Sequence, residues 1–126
     1  MTAQTRAWLT LAALSGLVAV AAGAFGAHGV SDLKAKDWLR TGSEYQLVHA
    51  LAALACFPLL RAGIRRAGVC AWLFLAGAAL FSGSLYLMAL TPERWMVLLT
   101  PLGGLVMLIG WATLAWAVVT APGDDE

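Results

Sequence analysis

The sequence predicts an all-α membrane protein, a bundle of four transmembrane helices joined by short loops. Three observations carry this. Of 126 residues, 61% are hydrophobic and only 12% are charged. A water-soluble domain carries roughly a quarter charged residues to cover its surface. Four apolar runs each approach the ~20 residues needed to cross the hydrocarbon core. Charges gather in the stretches between them, leaving lipid as the solvent that suits the outward faces. The formal net charge of +1 gives no electrostatic basis for a nucleic-acid partner.

The first span is expected at 8–27, an uncharged run preceded by Arg6. A basic start and an Ala-rich end also fit a cleavable signal. The run is long for a signal core and precedes a chain that is itself membrane-embedded, so we expect it to be retained. Residues 29–42 read as an interfacial loop. Its charges alternate in sign (Asp32, Lys34, Lys36, Asp37, Arg40), and a short helix there lays Trp38 on the membrane surface. The second span is expected at 44–60, ending at Pro58 and Arg61, with a basic turn of Arg61, Arg65 and Arg66 after it. The third is expected at 67–90. Thr91 then caps the following segment and Pro92 suits its first turn. The fourth, at 96–120, is expected to kink or restart near Pro101, Gly103 and Gly104. Trp95 and Trp116 sit near its ends, where aromatic belts form. Residues 121–126 read as a flexible tail. The whole chain is then one membrane domain.

Four spans place both termini on one side. The arginines packed into the short 61–66 turn favour the cytoplasm for that side, although basic residues divide almost evenly between the two faces. Lipid gives no hydrophobic gain for helix association, so close backbone contact must supply it. Gly16, Gly23, Gly26, Gly83, Gly103 and Gly110 are the expected packing positions, within one bundle or across a homo-oligomer. Cys56 and Cys70 flank Gly63 symmetrically, so a helical hairpin sets them at similar depth. Core packing and a disulfide both stay open for them.

Polar residues are few, which makes each informative. His28 and Gly29 fit a helix end: Gly29 as the left-handed residue after the last turn, His28 beside the exposed carbonyls. Thr41-Gly42-Ser43-Glu44 fits a capping box at the mouth of the second span. Tyr45, His49, Ala52 and Cys56 share one face of that span, with Gln46 beside them. A buried imidazole must find partners, and Ser15, Ser82, Ser84 or Tyr86 are the expected ones. The sharper alternative joins His28, Glu44 and His49 into a proton or cation site, because intramembrane polar groups are functional suspects. No catalytic residue, metal or cofactor is assigned. Two histidines are the minimum for a haem held on both faces, and nothing in their spacing favours one.

Two blocks resemble the YgdD-like family of small membrane proteins, a domain of unknown function with eukaryotic relatives described as transmembrane protein 256. The first is Gly23-Ala24-Phe25-Gly26-Ala27-His28-Gly29, then Thr41-Gly42, then Tyr45-Gln46-Leu47-Val48-His49-Ala50-Leu51. The second is Phe81-Ser82-Gly83-Ser84-Leu85-Tyr86-Leu87, then Thr100-Pro101-Leu102-Gly103-Gly104, then Gly110-Trp111. The resemblance spans nearly the whole chain. It implies a compact protein, usually of four helices, in the bacterial inner membrane, and no activity. The family's polar positions fall on His28, Tyr45, Gln46, His49, Ser82, Ser84, Tyr86, Thr100 and Pro101. Glu44 is not a position the family is expected to fix, which favours its capping role. Pro92 and Glu93 replace a glycine-containing turn.

The expected function is that of an accessory, scaffold or assembly subunit of a larger membrane complex, with lipid and other membrane subunits as partners. The alternative is a small proton, cation or solute carrier using His28 and His49. A membrane enzyme or cofactor binder ranks below both.

Overall fold

The computed structural model describes residues 1–123. Four helices follow in order: α1 (Ala3–His28), α2 (Leu33–Arg61), α3 (Ala67–Leu90) and α4 (Leu99–Val119), with a 3₁₀ turn at Trp95–Leu98 leading into α4. All four stretches are long and apolar enough to cross a membrane. Helices adjacent in sequence pack on each other, so α2 and α3 form the central pair, flanked by α1 and α4. Of the expected tail 121–126, residues 124–126 lie outside the described residues.

Helix α2 begins eleven residues before the expected second span at 44 and absorbs most of the expected loop. Its cap is Asp32, whose carboxylate accepts from the Ala35 N–H at 2.9 Å. Thr41 and Glu44 therefore lie well inside the helix, and the capping-box reading of them is corrected. The charges that lower hydropathy over 33–43 do not oppose helix; they occupy its outer side, while Ala35, Leu39 and Gly42 turn inward. Trp38 fixes the extension. Lys34 lies over its ring at 5.2 Å and Arg94, from the α3–α4 connection, at 5.0 Å, an attraction between cation and π-face.

Other helix ends also differ from expectation. Gly29 has φ −107° and ψ −4°, so it closes α1 without a left-handed residue. Its N–H still reaches Phe25 O at 2.7 Å. Left-handed geometry occurs at Gly63 (φ +95°) in the basic turn, where the absence of Cβ permits it. Thr91 ends α3 instead of starting the next segment, with its Oγ1 donating to Leu87 O at 2.6 Å. Arg94 donates to the carbonyls of Met88, Thr91 and Glu93, which satisfies carbonyls left free at the end of α3. The break expected near Pro101 and the glycines falls earlier, at the 3₁₀-to-α junction, so Pro101 stands in the first turn of α4, where its missing N–H leaves no gap.

Among the described residues the interior has two apolar clusters. One joins Trp8, Ala12, Ala53, Cys56, Ala67, Cys70, Ala71, Phe74 and Leu75. The other joins Leu85, Met88 and Met96, with Trp38 and Phe81 against them. Cys56 and Cys70 are free thiols in the first cluster.

Close packing rests on selected glycines. A Cβ on Gly103 would strike the backbone of Phe81 and the Gly77 carbonyl, and one on Gly77 would meet Met107 Cγ at 2.6 Å. Here α3 and α4 touch backbone to backbone, the contact that holds helices together in lipid. Gly110 makes room for the Phe74 ring, Gly26 for Leu39 and Gly23 for Ser43. At Gly16 and Gly83 a Cβ meets nothing within 4 Å, so neither packs against another helix of this chain. The small-residue spacing is present there without a helix opposite it. Gly103→Ala is expected to lower stability by about 1–3 kcal/mol through overpacking. Gly16→Ala should leave it unchanged or raise it by up to about 1 kcal/mol. Unfolding of both variants in mixed micelles, against the native chain, measures the difference.

Candidate functional site

Between the two apolar clusters lies a polar layer, centred on two turns of α2 from Gly42 to His49. To α1 it sends Ser43 Oγ, which donates to Ala19 O at 2.7 Å, and Gln46 Nε2, which donates to Ser15 Oγ at 3.2 Å. From α3 it receives Ser82 Oγ on the Gly42 carbonyl and the Tyr86 hydroxyl on Gln46 Oε1, both at 2.7 Å. From α4 it receives Trp111 Nε1–H on His49 Nε2 at 2.9 Å. One segment of α2 is thus hydrogen-bonded to each of the other three helices.

The state of the His49 ring follows from its neighbours. Trp111 can only donate, so His49 Nε2 is an unprotonated acceptor and the ring proton resides on Nδ1. That proton points to the Tyr45 carbonyl at 2.7 Å. Phe74 and Trp111 flank the ring at centroid distances of 5.7 and 5.8 Å. The imidazole is 4% exposed. Both nitrogens are occupied, and the ring is held neutral by a partner that cannot accept a proton.

The expected site residues divide into four sets. Gln46, His49, Ser82 and Tyr86 meet in the polar layer. Ser84 is buried nearby but belongs to a separate α3–α4 contact: it donates to Phe81 O at 2.7 Å and pairs with Thr100 Oγ1 at 2.6 Å. Tyr45 points outward, 46% exposed, with its ring 4.8 Å from Phe81. His28 stands apart. Lys36 reaches the Ala27 carbonyl, so His28 is level with the first turn of α2, about 20 Å along the helix from His49 at 1.5 Å per residue. The structure does not bring the two histidines together. None of the serines or tyrosines expected to satisfy His49 does so; Gln46 takes Ser15 and Tyr86, and Trp111 takes the histidine. Trp111 stood in the sequence beside Gly110 as a family residue with no assigned role. Its signal was the general rule that a buried indole N–H seeks an acceptor.

Beside the pair, α2 and α4 bound a groove of about 600 Å³ lined by Tyr45, His49, Phe81, Pro101, Leu108 and Trp111 among others. Its walls are mainly apolar and it opens on the outer surface. Such a groove suits a hydrocarbon chain or an apolar side chain.

The chain is similar to known sequences over most of its length. A family described as "Protein of unknown function (DUF423)" matches residues 22–104. The chain belongs to this family. A UPF0382 membrane protein of Haemophilus influenzae is 46% identical, with 86% of this chain and 90% of that protein aligned. The UPF0382 inner membrane protein YgdD of Escherichia coli K12 is 42% identical over 87% of each. The UPF0382 membrane protein YwdK of Bacillus subtilis is 36% identical, covering 90% of this chain and 97% of its own. No solved structure matches. The chain is accordingly an inner-membrane protein of the DUF423 family, and the matched stretch contains all of α2 and α3.

The His49–Trp111 bond offers a direct test of what joins α2 to α4. A double-mutant cycle of His49→Phe and Trp111→Phe, followed by unfolding in bilayers or micelles, should give a coupling of about 0.6–1.7 kcal/mol, the range for good interhelical bonds in membrane proteins. Coupling near zero would mean that the pair is incidental to stability.

Proposed function

We propose that this DUF423 chain is a non-catalytic accessory or scaffold subunit of a larger inner-membrane complex, working through its outer helix faces. One observation supports this above others: both ring nitrogens of His49 are occupied within the protein, by Trp111 and by the Tyr45 carbonyl. The buried imidazole is therefore engaged in holding helices together. Gln46, Ser82 and Tyr86 are likewise joined to one another's helices. Polar residues used this way hold helices in register within a bilayer.

A carrier through His28 and His49 has less support. The residues are separated by about 20 Å along the helix axis, roughly two-thirds of the ~30 Å hydrocarbon core, and a proton arriving at Nε2 meets an indole N–H, which cannot pass it on.

Purification in a mild detergent or in native-lipid discs, followed by quantitative mass spectrometry, is expected to recover another membrane protein in near-stoichiometric amount. A lone particle would overturn the reading. In proteoliposomes the purified chain should give proton flux no higher than empty vesicles. Flux above that background, abolished by His49→Ala in a folded variant, would put the carrier in its place.

A further inference from the structure

Glu44 is exposed on α2, and its depth is unusual for a carboxylate. Its neighbours Ser43 and Gln46 bond Ala19 and Ser15, near the midpoint of α1. Tyr45 meets Phe81, within a turn of the midpoint of α3. Glu44 is therefore level with the centre of the bundle, on its outer surface. Among the described residues no ion pair reaches it; the one formed there joins Arg40 Nη2 to Asp37 Oδ1 at 3.2 Å. Glu44 lines a shallow pocket of about 220 Å³ with Tyr45, Val48 and His49.

Acyl chains meet the leucine and valine faces of α1 and α4 without penalty. They cannot solvate a carboxylate at mid-bilayer depth, so intramembrane acidic groups face protein or a polar cavity. Of the outer faces, the one on α2 requires a cover that carries a cation. Asp37, Arg40, Glu44, Val48 and Leu51 follow one another at helical spacing, all exposed, giving a stripe of alternating charge that runs into an apolar patch.

We propose that this stripe is a contact surface for a second copy of the chain. Two copies related by an axis normal to the membrane present like residues at like depth. Arg40 of each copy then stands one turn, about 6 Å along the axis, from Glu44 of the other, within reach of an arginine side chain. The pairing occurs twice in such an isologous interface, while Val48 and Leu51 supply apolar contact beneath it. A guanidinium released from the exposed Asp37 pairs with a carboxylate that otherwise faces hydrocarbon. The proposed contact makes no use of the His49–Trp111 bond and does not depend on an accessory role.

The test places a benzophenone photo-crosslinking side chain at position 48 and, as a control, at the equally exposed position 20 on α1, in native membranes. We expect a covalent homodimer from position 48 and little from position 20. Glu44→Leu should reduce the dimer at least tenfold, as should Arg40→Glu alone. The double exchange Arg40→Glu with Glu44→Arg should restore it to within twofold. Because Glu44 is on the surface, Glu44→Leu leaves the interior intact, which a thermal-shift measurement on the purified variant checks. Energy transfer between labelled native copies, persisting as the vesicle lipid is diluted, tests the dimer without any substitution. Adducts at position 48 only with lipid or with a different protein would overturn the proposal, as would a dimer yield indifferent to Glu44→Leu or energy transfer that vanishes on dilution. Recovery of other subunits is judged separately, so an accessory role can stand or fall independently of this interface.

Discussion

A polar group inside a bilayer has no water to fall back on, and that constraint organises this protein. Each donor and acceptor at the centre must be answered from within the protein. The answer is concentrated in one place: Gly42, Ser43, Gln46 and His49 of α2 bond to α1, α3 and α4 within two turns. The glycines work to the same end. Gly23 gives Ser43 the room to reach the Ala19 carbonyl, and Gly42 lets the Tyr86 ring pass close enough to bond Gln46. Small residues and polar residues are two halves of a single packing solution, the first allowing the approach that the second requires.

That solution also determines what the interior can do chemically. Measured interhelical hydrogen bonds in membranes average about 0.6 kcal/mol, so no single one holds the bundle. Their value here is directional. Apolar helices slide and rotate against each other at little cost, whereas Tyr86 on Gln46 and Trp111 on His49 each admit one register. A histidine fixed as a neutral acceptor by an indole is poorly suited to shuttle protons and well suited to hold α4 in place.

The fold was readable from hydropathy because four uncharged runs of spanning length leave few other arrangements. The helix boundaries were harder. Thr41-Gly42-Ser43-Glu44 imitates a helix start, and the charges of 33–43 imitate a loop. What supports helix in that stretch is partly tertiary, Leu39 against Gly26 and Arg94 over the Trp38 ring, with Lys34 one turn earlier on α2 adding a local contact to the same ring. This error in the start of α2 also concealed the depth of Glu44, which changes from a helix-end residue to one at the centre of the bundle. The gathering of Gln46, His49, Ser82 and Tyr86 could be anticipated because polar residues in spans seek one another. Their pairing could not. Several donors of suitable type were available to His49, and the one chosen lies 62 residues away, on a helix to which no hydrogen-bonding role is assigned from sequence. His28 and His49 drew attention together only because they are the two histidines of the sequence.

The sequential packing of the helices bears on how the protein is made. Apart from a minor approach of α1 to α3, contacts run between helices that are neighbours in the chain. Each helix leaving the insertion machinery can therefore dock on the one before it, with no wait for a distant segment. The bond from Trp111 to His49 is different, since it passes over α3 to a helix inserted earlier. It forms only after the last span has arrived, so it marks the completion of synthesis: until α4 is in the membrane, the Nε2 acceptor of His49 has no indole to receive it. A nascent chain truncated before Trp111 would leave that imidazole nitrogen without its partner, at the cost of an unpaired polar group within the bilayer.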